Sequence, residues 1–150
     1  MLDALRHIAG EVADFDTEVH AQAGLSTVWY VISLRFEGGT RGRIEVLPTA
    51  GMVEESYELF GEGFRAQVVA GSGPQRSLRC WRGGQMELEK HSSKTEPEDL
   101  RNGGYYEVVE FVQALKRGER PWPTVEDILP SARICFAIAE SVARQTEAKA

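Results

Sequence analysis

The sequence holds little of what reactive or metal-bound proteins usually need. Its only two cysteines, Cys80 and Cys135, lie far apart, one in a strand pattern and one in a helix pattern, which gives neither a disulfide framework nor a metal-binding spacing. Both read as reduced packing residues. The three histidines, His7, His20 and His91, are dispersed, and no HExxH, CxxC or carboxylate cluster makes a metal site. No serine sits in a GxSxG elbow, so a hydrolytic triad has no support. Lys and Arg total 17 against 23 Asp and Glu, a net charge of −6 that opposes the phosphate backbone and argues against DNA or RNA as partners. No apolar run approaches the roughly 20 residues that cross a bilayer. Met1-Leu2-Asp3-Ala4 has neither a basic start nor an apolar stretch of a secretory signal, so a cytoplasmic protein with no membrane contact is expected.

What is present is an ordinary globular composition, 42% hydrophobic and 27% charged over 150 residues, enough for one domain spanning 1–150. Leu2, Leu5, Ile8 and Ala9 recur at helical spacing and stop at Gly10. From Val12 to Glu89 the period becomes two, broken by the glycine turns "EGGTRG", "TAGM", "GEG", "GSGP" and "RGGQ", which predicts about six or seven hairpin-linked strands. The segment Gly61-Glu62-Gly63 tempts a nucleotide-loop reading. It lacks the third glycine of GxGxxG and leads into another strand pattern, so a hairpin turn is expected there.

Past the polar stretch "KHSSKTEPEDLRNGG", a helix from about Tyr105 carries Tyr105, Val108, Val109, Val112 and Leu115 on one stripe and ends at Gly118. Pro121 and Pro123 flank Trp122 in a stiff turn. Thr124, followed by Glu126 and Asp127, is a helix N-terminus with a hydroxyl cap and first-turn acids. Pro130 predicts a kink or a restart at Ser131, after which Ile134, Ala137, Ile138, Ser141 and Val142 form a buried stripe. These patterns predict an α+β fold: an open, mainly antiparallel β-sheet with helices packed on one face. In "VWYVISLRF", Val28, Tyr30, Ile32, Leu34 and Phe36 share one face, while Trp29 and Val31 make the opposite face apolar and available for dimerisation.

Three side chains stand out for function. His7 lies one turn after Asp3 and beside Arg6, and reads either as a helix-surface histidine or as a site residue. Trp122 either packs its turn on the sheet or lines a ligand pocket. Tyr105 belongs to the helical stripe, whereas Tyr106 faces elsewhere and presents its hydroxyl.

The segment "GGYYEVVEFVQALKRGERPWPTVEDILPSARICFAIAES" resembles the closing pattern of the glucose-fructose oxidoreductase, inositol dehydrogenase and MocA-like (Gfo/Idh/MocA) family. "LRFEGGTRGRIEV" and "ESYELFGEGFRAQVVAG" are similar to the strand pairs that precede it there. "LDALRHIAGEV" resembles the stretch after that family's GxHxxD motif, with Asp3 in the place of the trailing Asp. The resemblance implies the C-terminal substrate-side and oligomerisation domain of an NAD(P)-dependent oxidoreductase acting on a sugar, polyol or related hydroxyl compound. It also implies a homodimer or homotetramer built through the open sheet face. The chain has no Rossmann fingerprint and no Glu-Lys-Pro segment with its lysine, and the matching histidine would fall immediately before Met1. On this reading NAD or NADP belongs to a longer parent with a Rossmann domain in cis. No residue of this chain is assigned to catalysis, cofactor binding or a metal, and no hydride transfer is expected from it alone. Asp3, His7, Tyr106 and Trp122 become substrate-side residues or supports for them. The competing reading is a free-standing dimeric module that binds a small ligand or directs assembly.

Overall fold

The computed structural model describes residues 1–20, 27–71, 76–91 and 104–148. The chain falls into two compact units, Met1–Ala50 with Trp122–Ala150 and Gly51–Pro121.

The first unit opens with α1 (Leu2–Ala9), which has Asp3 in its first turn and Arg6 and His7 in its last, as the helix dipole favours. Gly10, at φ 89°, turns the chain away and donates its N–H to the Arg6 carbonyl. Three antiparallel strands follow in the order β1 (Val12–His20), β2 (Trp29–Phe36) and β3 (Arg41–Val46). Alternation on β2 sets the core. Ile32, Leu34 and Phe36 point one way and, with Ile44, Leu2 and Ile138, form a buried cluster. Register places Thr17 and Ile44 on either side of Ile32 and Val19 opposite Tyr30. Gly42 is a close approach, since a Cβ there would sit 3.0 Å from the Phe36 ring and the ring would have to give way.

The final helix (Val125–Glu147) lies along β1 and β2, with Ile134, Ile138 and Val142 packed into that cluster. Two polar contacts lock it to β1: the Thr17 and Ser141 hydroxyls meet at 2.5 Å, and the Gln145 amide donates to the Thr17 carbonyl at 2.7 Å. The helix runs through Pro130 without a restart. Proline this near the N-terminus removes one donor, and the packed stripe beyond it outweighs that loss.

The second unit is a four-stranded antiparallel meander, β4 (Glu54–Gly61), β5 (Phe64–Gly71), β6 (Ser77–Arg82) and β7 (Gln85–His91). The "GEG" segment is the β4–β5 hairpin turn, with Gly63 at φ 65°. Gly83 and Gly84, both at positive φ, turn β6 into β7, and the Gly83 N–H donates to the Gly63 carbonyl. One sheet face is a polar ladder in which Glu58 accepts from Arg65 and Gln67, and Glu89 accepts from Arg79. The Arg79 bond holds the Glu89 carboxyl below its ordinary range. Arg65 also lies against the rings of Phe60 and Trp81.

The unit closes with α2 (Gly104–Arg117), so the final helix is α3. The stripe expected to be buried on α2 is instead largely open: Tyr105, Val108, Val112 and Leu115 are exposed, Val109 is half-buried, and the helix's one buried residue is Ala114, outside the stripe. Helical period shows that a face is apolar. It cannot show that anything covers the face, and α2 makes no extended packing contact with a described element.

The fold class is therefore α+β with open antiparallel sheets, and the strands number seven among the described residues. The pairing divides them into two sheets rather than one, at the Leu47–Val53 connection. The "GSGP" turn and most of "KHSSKTEPEDLRNGG" lie outside the described residues. No helix among those residues is long and apolar enough to cross a membrane.

Candidate functional site

A cleft of about 430 Å³ opens in the first unit between α1 and the start of α3. Asp3, Arg6 and His7 sit at i, i+3 and i+4 of α1, which aligns them on one helical face, and Glu11 follows the Gly10 turn. The opposite wall is Trp122 and Pro123 from the proline turn, then Glu126, Asp127, Ile128 and Pro130 from the first turns of α3.

Arg6 organises the α1 side. Its side chain is only 8% exposed, and a guanidinium so buried must be paired on several sides. Nε and Nη2 donate to the Glu11 carboxylate at 3.2 and 2.5 Å. Nη1 donates to the Ser131 hydroxyl at 2.6 Å and more weakly to Asp3 at 3.5 Å. Ser131 in turn donates to Asp3 Oδ1 at 2.6 Å. The result is a guanidinium–hydroxyl–carboxylate relay that fixes Asp3 from behind, while its side chain stays 54% exposed.

On the α3 side, Asp127 Oδ2 accepts the Thr124 N–H at 2.8 Å and the Thr124 hydroxyl at 2.7 Å. That is one arm of a capping box, and it places a carboxylate on the helix N-terminus. Trp122 is 63% exposed, and its indole lies 5.4 Å from the His7 ring at a tilt of 44°.

The fold thus brings together three of the residues singled out by sequence, Asp3, His7 and Trp122. Tyr106 is not among the lining: it lies on α2 in the other unit, 58% exposed, with its ring edge-on to Tyr105. Trp29 is 39% exposed and stacks face to face on His20 at 3.8 Å, whereas Val31, on the same strand face, is 4% exposed. Ser131 went unrecognised in the sequence, because its role depends on Asp3, 128 positions away. Glu11 had a local signal, an acid just past a helix with an arginine in its last turn. Only the Gly10 turn makes the two meet.

Dinucleotide binding does not fit these residues. The glycines that might cradle a pyrophosphate form a hairpin turn that leads straight into β5, and among the described residues no helix starts behind them to present its N–H groups. The cleft itself carries carboxylates where a pyrophosphate would need donors.

No family model matches the chain. No curated protein matches it either. Solved structures do share its fold. The WlbA dehydrogenase of Chromobacterium violaceum, solved with NADH and UDP-GlcNAcA, aligns with a TM-score of 0.57 at 18% identity, covering 96% of this chain and 41% of that one. WlbA from Bordetella pertussis, with the same two ligands, aligns with a TM-score of 0.50 at 19% identity, covering 96% and 40%. The chain spans about two fifths of the length of these dehydrogenases. At such identity the likeness is one of fold.

Proposed function

We propose that this chain is the substrate-side part of an NAD(P)-dependent oxidoreductase that acts on a sugar, polyol or related hydroxyl compound, as in the Gfo/Idh/MocA family. The observation that carries this is the alignment of 96% of the chain with two fifths of a dehydrogenase solved with NADH and a sugar nucleotide. Fold alone does not fix chemistry, so the cleft has to supply its own support. It does so in kind. An exposed indole offers a flat face to a ring's C–H groups, and a carboxylate clamped from behind offers a fixed acceptor to a hydroxyl. Asp3 orients the ligand, Ser131 and Arg6 hold Asp3, and Trp122 with His7 forms the apolar wall.

The nicotinamide cofactor, NAD or NADP, is assigned to a separate nucleotide-binding half in cis. The test is titration of NADH and NADPH into the chain, followed by nicotinamide fluorescence. Binding should be absent up to about millimolar, weaker than roughly 4 kcal/mol. Micromolar binding would overturn the proposal. Association of two or four copies belongs to the same proposal, and a monomer in sedimentation velocity at micromolar concentration would remove it. The second reading, a free-standing binding module, is favoured by a cleft built wholly from one unit. An open reading frame upstream of Met1 encoding GxGxxG and Glu-Lys-Pro would decide against it.

A further inference from the structure

Resting on the association of copies proposed above, we propose that a second copy of the chain docks on the solvent face of α3, as an antiparallel pair of α3 helices related by a two-fold axis. A helix with one side in a core ordinarily turns charge to water on the other. α3 does not. On the side away from the core stripe of Ile134, Ile138 and Val142, Val125, Leu129, Ala132, Phe136, Ala139 and Ala143 recur at alternating steps of four and three. That alternation is the period of about 3.5 residues that marks a helix–helix seam. Phe136 is 71% exposed, and Val125 and Leu129 are exposed with it.

The seam's own side chains say which helix completes it. Phe136 has Ala132 one turn before it and Ala139 one turn after, so its ring is a knob and the alanines leave room for a second ring. The chain thus carries both halves of the contact, as a two-fold interface requires. The sheet face expected to pair is less open, since Val31 is buried and Trp29 is stacked on His20.

Charge fixes the direction. Arg133 and Glu140 flank the seam on one side, two turns apart and both exposed. With the helices antiparallel and Phe136 beside the partner's Ala139, Arg133 comes opposite the partner's Glu140, and the two-fold axis repeats the pair. Both groups are available for it. Arg133 makes no ion pair among the described residues, and Glu140 has a long one, to Arg144 at 3.9 Å. In a parallel arrangement the two arginines would share one level and the two glutamates another, and no opposite charges would meet.

The test is sedimentation velocity of the full chain from about 5 to 100 µM, because one pair of helix faces lies at the small end of specific interfaces. The chain should be a dimer in the upper part of that range. Phe136→Glu should leave it a monomer throughout, and the exposed position of the ring lets the fold be checked as unchanged by circular dichroism. Arg133→Glu should raise the dissociation constant about tenfold at low salt, and adding Glu140→Arg should recover most of that loss. A double exchange that recovers nothing overturns the antiparallel pairing. A dimer that survives Phe136→Glu overturns α3 as the surface and leaves association standing, and its loss with Trp29→Glu would then assign it to the sheet. A wild-type monomer across the range overturns this docking together with the proposed association, whereas the substrate-side reading stands or falls by the nicotinamide titration.

Discussion

The two units are made alike and filled differently. Each is an antiparallel sheet paired strand to strand, and each has one register shift, at Val12/Asp14 in the first and at Cys80/Trp81 in the second. The first buries Leu2, Val19, Val31, Ile32, Leu34, Phe36, Ile44 and Ile138, whereas among the described residues the buried hydrophobics of the second are Ala66 and Ala114. Phe60, Tyr105, Tyr106, Val108 and Leu115 in the second are each more than half exposed. Backbone pairing can therefore specify topology in both, while the apolar burial that drives folding is concentrated in one. The cleft belongs to the unit that has the core, which suits a site whose groups must be held in place.

Truncating a core side chain should separate the units most sharply. Leu34 is 1% exposed, and Leu34→Ala should cost about 3 to 5 kcal/mol, the lost transfer energy plus a cavity. Leu78→Ala, at a half-buried position of β6, should cost only about 1 kcal/mol. Urea unfolding of both variants checks the contrast, and equal losses would break it.

Next in size is the relay behind the cleft. Ser131→Ala removes the hydroxyl that joins Arg6 to Asp3 and leaves two charged groups short of a partner, at a cost of about 1 to 3 kcal/mol. The same denaturation experiment measures it. A change within about 0.5 kcal/mol would mean that Arg6 repairs itself through Glu11 and Asp3 alone.

Much of the first unit is legible in sequence because local pattern and burial agree there. The period-two run through Ile32, Leu34 and Phe36 names the core face, and the stripe of Ile134, Ile138 and Val142 names the helix face that meets it. Thr124 and Asp127 announce the start of α3 by chemistry. In the second unit the same rules found the strands and the "GEG" and "RGGQ" turns, but α2's stripe points to no described cover, since amphipathicity records a face and not its occupant. At the site, Asp3 and His7 share a helix face and could be paired by counting. Trp122 and Ser131 join them only through the return of α3, a tertiary fact that spacing does not encode.

Tyr57 offers a smaller, pH-dependent probe of the second unit. Burial, then its hydrogen bond to Glu55 and the charge of that carboxylate, push its phenol up from 10.0 to about 12. A raised folded-state value means that the stabilisation is complete below pH 10 and is lost as pH climbs toward 12. Ultraviolet titration should show one of the four tyrosines ionising after the rest, and Glu55→Gln should bring it part of the way back. Coincident titration of all four would mean that the β4 environment is more open than its geometry indicates.

The smallest effect is expected where sequence reasoning would expect a large one. Phenylalanine in a strand is ordinarily a core residue, yet Phe60 is 72% exposed, and its ring contact is with the Arg65 guanidinium, 5.6 Å from the ring centre. Arg65 keeps Trp81 at 5.1 Å and its bond to Glu58 at 2.8 Å when that ring is removed. Phe60→Ser should therefore change stability by no more than about 0.5 kcal/mol, and it should raise solubility by removing an exposed apolar group. A loss above about 2 kcal/mol would carry the opposite lesson. It would mean that Phe60 is covered in solution by a second molecule, so that the second unit completes its core by association. Repeating the measurement over a hundredfold range of protein concentration separates the two cases, because only a stability that depends on association rises with concentration.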